Sequence, residues 1–323
     1  MIRCLCILLS LMCVLATPAF VAADEPIKIG IIGLDTSHAL AFTKLLNDPD
    51  VRPELAGCPV VAVYPKGSPD IESSVVRVPE YTKVIQELGV EVVDSIDELL
   101  KRVDAVLLET NDGRPHLEQL RPVLKAGKRC FIDKPIAGSL KDAVAIFAES
   151  KRAGVPVFSS SSLRYGKTSQ AARAGQLGNI LLCETHSPAH LEQTHPDLFW
   201  YGIHGVESLF TVMGTGCKSV TRYDEDGKIK VVGKWEGGRV GTFRQGSGYG
   251  GYAVGDKGPS NVGSYDGYDP LVVEIVKFFR TGKVPVSAAE TLEIYAFMEA
   301  ADESKRHNGA EVTLDSVMRA VGR

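Results

Sequence analysis

The 323-residue sequence has little excess charge of either sign: 36 Lys and Arg stand against 40 Asp and Glu, a net charge of −4. A basic surface for nucleic acid or an anionic bilayer is therefore not expected. C-x-x-C pairs are absent, and with them a common sequence sign of a redox or zinc site. No internal repeat is visible, which argues against a solenoid. No apolar run reaches the roughly 20 residues that a membrane-spanning helix needs. The nearest approach is the N-terminus, "MIRCLCILLSLMCVLATPAFVAADEP", with one Arg, an apolar stretch over residues 4–16, and Val21-Ala22-Ala23 before Asp24. Residues 1–23 read as a secretory signal peptide. An uncleaved anchor is the competing reading, opposed by Pro18 and the short apolar run. No Arg pair precedes the stretch, so the general export route to the periplasm or the exterior is expected, with no stable membrane span after cleavage. Of seven cysteines, cleavage leaves Cys58, Cys130, Cys183 and Cys217. An exported chain could pair them, but Cys130 and Cys183 fall in strand-like apolar runs, and buried free thiols are expected.

What is present has an ordinary globular balance. Hydrophobic residues make up 44% and charged residues 24%, enough for a large core, and the length fits two domains. From residue 27 the pattern alternates. Strands are expected at "IKIGIIG", "PVVAVYP", "VEVVDS", "DAVLLET", "RCFIDKP" and "VPVFSSSS". Helices fall between them at "ALAFTKLLND", "EYTKVIQELG", "IDELLKRV", "GRPHLEQLRPVLKAG" and "SLKDAVAIFAESKRAG". The fourth of these is expected to be interrupted at Pro122. Strictly alternating elements predict a Rossmann-type parallel sheet covered on both faces, over residues 24–157. After about residue 160 the texture changes. Strands there are joined at Asp226-Gly227 and Gly237-Gly238, both good hairpin turns. A Gly- and Tyr-rich stretch over residues 244–269 reads as an ordered strand with loops, or as disorder. Two amphipathic helices follow. Residues 158–323 therefore predict an α+β domain with an open, largely antiparallel sheet.

The first strand runs into "GIIGLDTSHA", where a nucleotide-binding fold places its glycine-rich phosphate loop. On the G-x-G-x-x-G template Gly33 is in register, but Asp35 takes the second glycine position and His38 the third. A carboxylate within about 4 Å of a phosphate costs on the order of 1–4 kcal/mol. Against that, the helix tip still offers N–H groups to a diphosphate, and Thr36 and Ser37 could add hydroxyls. Asp35 could instead turn back as the helix cap. The second strand lacks the terminal acid that usually holds the ribose of NAD and runs into "VYPKGS". Lys66 there could meet the extra phosphate of NADP, or be an ordinary loop lysine.

Three further stretches carry a resemblance. "VDAVLLETNDGRPHLEQLRPVLKAGKRCFIDKP" pairs a strand ending in Thr110-Asn111 with a helix bearing His116, then Ala126-Gly127-Lys128 and a strand ending in Asp133-Lys134-Pro135. "WYGIHGVESLFTVMG" supplies a G-x-H helix, and "FFRTGKVPVSAAETLEIYAFMEAADESKRHNGAEVTL" a long C-terminal pattern. Together they resemble the Gfo/Idh/MocA family of nicotinamide-dependent oxidoreductases over nearly the whole mature chain. Gly33, Asp35, Thr36, Ser37 and His38 of the loop and Lys66 after the second strand are candidate cofactor contacts read from the residues themselves; the resemblance implies bound NAD or NADP, with Thr110, Asn111, His116, Asp133, Lys134 and Pro135 at its site. It implies that Lys134 and His204 are catalytic, Lys134 beside the nicotinamide and the substrate hydroxyl, and His204 as acid or base. It also implies a homo-oligomer. The family's Asp one turn before this His is replaced by Trp200, with Asp197 off register; Glu207 could orient His204 from the same helical face. Trp200 and Tyr201 suit stacking on a sugar ring. Arg164 and Tyr165 could reach a substrate carboxylate or hydroxyl, a surface Arg being the competing reading.

His186, His190, His195 and His204 lie close together in sequence, with Glu192, Asp197 and Glu207 nearby. Their spacing matches no zinc template, and no metal site is expected. The sequence thus implies an oxidoreductase acting on a sugar or cyclitol-like hydroxyl compound. A redox-neutral variant, such as epimerisation or elimination, uses the same cofactor. A cofactor-free carbohydrate-binding or scaffold protein on the same fold is the alternative, favoured by the altered loop and the export signal.

Overall fold

A computed structural model describes residues 25–322. The signal-peptide segment lies outside the described residues. No helix among them is long and apolar enough to cross a membrane.

The first half alternates as its hydrophobic periodicity predicts. Strands β1 (Ile29–Ile32), β2 (Val60–Tyr64), β3 (Glu91–Val92), β4 (Ala105–Leu108), β5 (Arg129–Ile132) and β6 (Val157–Ser159) form one parallel sheet in the order β3-β2-β1-β4-β5-β6. Helices α1 (Ser37–Leu46), α2 (Glu72–Glu87), α3 (Ile96–Leu100), α4 (His116–Lys125) and α5 (Leu140–Ala153) connect them. The order reverses between β1 and β4, and ligands bind such sheets in the crevice at that point, beyond the C-terminal strand ends. β1, β4 and β5 are buried on both faces apart from Arg129. Sequence patterning also locates the helix ends. Ser139 caps α5 by accepting from Asp142 N, and Gly154 closes it in the left-handed region that a residue without Cβ adopts freely.

Two helices differ from expectation. α2 begins at Glu72, well before the expected "EYTKVIQELG", and runs through Pro79. Val75 and Val76 on its first turns are exposed, so this part has no apolar stripe for periodicity to find. α4 continues past Pro122 to Lys125 rather than breaking there; Leu120, Val123 and Leu124 on the same helix are buried, and that packing outweighs one lost backbone bond.

The second half contains α6 (Lys167–Arg173), β7 (Ile180–Ser187), α7 (Ile203–Met213), β8 (Cys217–Glu225), β9 (Lys228–Trp235), β10 (Val240–Gln245), β11 (Gly250–Gly255), β12 (Gly258–Val262), α8 (Asp269–Thr281), α9 (Ala288–Arg306), β13 (Val312–Thr313) and α10 (Leu314–Ala320). Seven strands form an open sheet in the order β12-β11-β7-β10-β9-β8-β13, antiparallel except where β7 meets β10. The Gly- and Tyr-rich stretch is ordered and supplies the β11–β12 hairpin. Helix α8 returns to the first half: Leu271, Ile275, Phe278 and Phe279 share one core with Ile29, Phe131 and Phe158. Cys58, Cys130, Cys183 and Cys217 are buried free thiols, as expected. Burial pushes the thiol of Cys183 up to about 12.

Candidate active site

The C-terminal ends of β1, β4 and β5 face α7 across a cavity of about 470 Å³. Thr36, Ser37, His38, Asn111 and Lys134 line its first-domain side. Ser162, Trp200, Tyr201 and His204 line the other, with Tyr249, Tyr265 and Tyr268 from the Gly- and Tyr-rich stretch.

Lys134 sits on the turn after β5, only 6% exposed, followed by a cis bond to Pro135. Its Nζ lies 4.0 Å from Asp133 Oδ2. His204 arrives from α7, which starts in a π-helical turn over Leu198–Gly202. That wider turn carries Trp200 and Tyr201, and such turns recur at functional sites. His204 Nδ1 lies 2.7 Å from Ser161 Oγ. Burial, then the nearby charges of Lys134 and His38, hold its pKa well below the ordinary histidine value. The imidazole is therefore neutral at neutral pH and able to accept a proton. Tyr201 packs against it at 5.1 Å between ring centroids and reaches Tyr249 through a 2.9 Å hydroxyl pair.

Other expected residues have different places. Glu207 does not touch His204. It accepts from Ser160 Oγ at 2.6 Å, Ser161 N at 2.8 Å and Arg164 Nε at 2.7 Å, so any influence on His204 passes through Ser161. Arg164 is not a substrate contact: it is buried and also donates to Glu290 at 2.6 Å. Tyr165 likewise turns away from the cavity, its buried hydroxyl without a partner. His116 is scaffold. Its ring nitrogens face Thr110 O at 2.8 Å and Ile136 O at 3.1 Å, which clamps the β4 and β5 loops together. Thr110 donates its hydroxyl to Gln119, and Gly33 packs so tightly on Thr110 that a Cβ would stand 2.4 Å from its nitrogen. Lys66 is exposed and outside the cavity lining. Asp197 pairs with Arg222 and Lys305. The four clustered histidines do not converge: His195 lies 3.2 Å from Asp112, while His190 packs on Tyr201.

The loop after β1 resolves differently from either expectation. Thr36, not Asp35, caps α1 by accepting from His38 N. Asp35 is fully buried and outside the cavity lining. Its carboxylate accepts from Asn111 N at 2.8 Å and Ser74 Oγ at 2.7 Å. No carboxylate from Asp35 therefore faces the tip of α1, where Thr36, Ser37 and the guanidinium of Arg77 line the cavity and suit a diphosphate. The nicotinamide and diphosphate portions of a dinucleotide thus fit the residues present. Outside the cavity lining the ends of β2 and β4 are bridged: Ser68 donates to Asp112 at 2.6 Å, and Arg114 joins Asp112 to Asp70.

No motif in the sequence marks Ser161, Tyr249, Tyr268 or Glu109 individually. The signals present are the regular tyrosines of residues 244–269 and a charged residue closing the apolar run "DAVLLE".

Residues 27–161 match the family model described as an oxidoreductase family with an NAD-binding Rossmann fold. The "uncharacterized oxidoreductase YhhX" of Escherichia coli K12 is 26% identical over 132 residues, which is 37% of this chain and 38% of that protein. The match thus spans well under half of that relative's length. A probable dehydrogenase from Thermotoga maritima superposes with a TM-score of 0.71 at 20% identity, covering 90% of this chain and 99% of its own. The scyllo-inositol dehydrogenase of Lactobacillus casei, solved with NAD(H) and scyllo-inositol, gives 0.71 at 16% identity, with 90% and 100% covered. A putative NADPH-dependent oxidoreductase from Desulfitobacterium hafniense gives 0.72 at 17%, with 92% and 100% covered. At these identities the structural likeness is one of fold. Strand order, the Asp-Lys-Pro turn and the match over residues 27–161 agree: the first half of this chain matches the oxidoreductase family with an NAD-binding Rossmann fold, and the whole chain shares the fold of these dehydrogenase structures.

Proposed function

We propose that the protein moves a hydride between a CH–OH carbon of a sugar- or cyclitol-like compound and NAD or NADP. The observation that carries this is the meeting of Lys134 and His204 in one cavity edged by Trp200, Tyr201 and Tyr249. The nicotinamide, when bound, supplies the hydride acceptor or donor. The protein's residues handle the proton and the position. The ammonium of Lys134 polarises the substrate oxygen. His204, with Nδ1 engaged by Ser161, offers Nε2 to take the alcohol proton in oxidation and to return it in reduction. The aromatic edges present flat apolar faces to a ring, and hydroxyls answer its OH groups. Epimerisation or elimination would use the same two groups. The fold shared with inositol dehydrogenases supports the cyclitol class.

The test is direct. Purified protein is denatured and assayed for nucleotide by absorbance and mass, then titrated with NAD and NADP and offered inositols and aldoses. Bound or saturable nucleotide with polyol-dependent turnover is expected. Failure to bind at millimolar nucleotide would remove the redox reading. One other outcome, polyol binding without any nucleotide, would promote the cofactor-free reading. Export through the leader is a companion proposal, tested by cell fractionation. So is self-association through the uncovered face of the second sheet, where Leu182, Tyr223 and Tyr252 are exposed; sedimentation of the purified protein decides it.

A further inference from the structure

We propose that His38, Glu109 and Asp133 form a binding site for a divalent transition-metal ion beneath the cavity, independent of the hydride-transfer reading. The fold itself gathers them. Glu109 follows β4 and Asp133 follows β5, and these parallel neighbours are in register at Leu108 and Ile132. Glu109 N donates to Ile32 O at 2.7 Å and Asp133 N to Leu108 O at 2.8 Å, so the ends of three adjacent strands are fixed side by side. His38 reaches in from the first turn of α1, its Nδ1 2.9 Å from Asp133 Oδ2. Donor atoms of the three residues lie within 4.8 Å of one another.

Glu109 supplies the independent observation. It is fully buried, and neither carboxylate oxygen has a hydrogen-bond partner; Asp133 Oδ1 is likewise unpartnered. A bare carboxylate in such a place is strongly disfavoured. Burial and the neighbouring Asp133 carboxylate both disfavour the charged form of Glu109, so the pair needs either a proton or a cation. A cation held by one oxygen of each carboxylate and a nitrogen of His38 neutralises the pair. Lys134, 4.0 Å from Asp133 Oδ2, is one positive charge shared between the two carboxylates. Asp35 adds a further negative charge nearby. An imidazole with two carboxylates suits zinc or manganese rather than a softer thiolate-seeking ion. Metal–ligand bonds of about 2.1 Å need donors no more than about 4.2 Å apart, so the widest pair closes by at most roughly 0.6 Å. His38 lines the cavity and gives the ion a way in.

Chelator-stripped protein should take up one equivalent of zinc, measured by calorimetry and by mass analysis after desalting. Cobalt in its place should give visible absorption bands that zinc abolishes. Glu109→Gln and His38→Gln should each weaken zinc by more than the 10–100-fold typical of losing an outer partner. X-ray absorption of the zinc-loaded wild-type protein should show one imidazole with oxygen donors, a readout that needs no variant to fold. No retained metal, undiminished binding in the variants, or two or more imidazoles around the ion would each overturn the proposal; the last would move the metal to the histidines of residues 186–204.

Discussion

Lys134 is buried beside Asp133, a carboxylate it shares with His38. Burial alone would raise the Asp133 pKa, but His38 and Lys134 more than offset it and hold the carboxyl near about 2. The lysine therefore keeps a charged companion across the whole working pH range. Lys134→Met should lower kcat by about 10²–10⁴-fold with a much smaller change in KM; steady-state kinetics on the best polyol checks this, and a loss of under threefold would remove Lys134 from the chemistry. His204 makes a prediction of the opposite kind. Its folded pKa lies below its unfolded value of about 6.5, because burial and the nearby cations favour the neutral ring. Stability from this source is complete above about 6.5 and is lost as pH falls through the folded value, at about 1.4 kcal/mol per unit of depression. Urea denaturation between pH 7 and pH 5 should show a shallower loss in His204→Gln than in the wild type. The acid limb of kcat/KM should fall below pH 6.5 for the same reason. Lys134 and His204 stand out by motif in the sequence, and both line the cavity. Glu207 and Arg164 are not legible in this way, because two side chains a turn apart on a helix can bond to each other or to something else, and only packing chooses.

At the scale of elements, one buried guanidinium joins three segments. Arg164 lies in a short 3₁₀ turn after β6 and bonds to Glu207 on α7 and Glu290 on α9, while Arg173 on α6 also reaches Glu290. All three of the inner groups are buried. Removing one partner strands the others, which typically costs about 3–5 kcal/mol. Arg164→Met should therefore unfold at markedly lower urea concentration. It should also disturb His204, since Glu207 holds Ser161 N and Ser161 holds the imidazole. Equal stability of variant and wild type would show that this network does not brace the cavity. Helix ends and parallel strands were readable in advance, because capping and apolar runs are local properties. The first turns of α2 and the passage of α4 through Pro122 were not, since one lacks an apolar face and the other is rescued by contacts from elsewhere.

The whole molecule is less divisible than its two sequence textures imply. Helix α8 lies far along the chain yet completes the core beneath the first sheet, with Phe278 meeting Phe158 at 4.9 Å between ring centroids. A fragment of residues 25–161 should accordingly expose Ile29, Phe131 and Phe158, bind apolar dyes and aggregate. In the intact chain, Phe278→Ala should cost about 3–5 kcal/mol, read from urea midpoints. A soluble, cooperatively folding fragment would show that the first domain stands without α8.

By itself the sequence determined the alternation that makes a parallel sheet, the helix caps, and the turn bearing Lys134, since each depends on residues adjacent along the chain. Only the tertiary structure decided where charge and burial meet. It turned Asp35 away from the phosphate seat, committed Arg164 to an ion-pair network, and set Glu109 beside Asp133 and His38. Those outcomes depend on segments some 25 to 125 residues apart being brought together, a proximity that neighbouring residues along the chain do not encode.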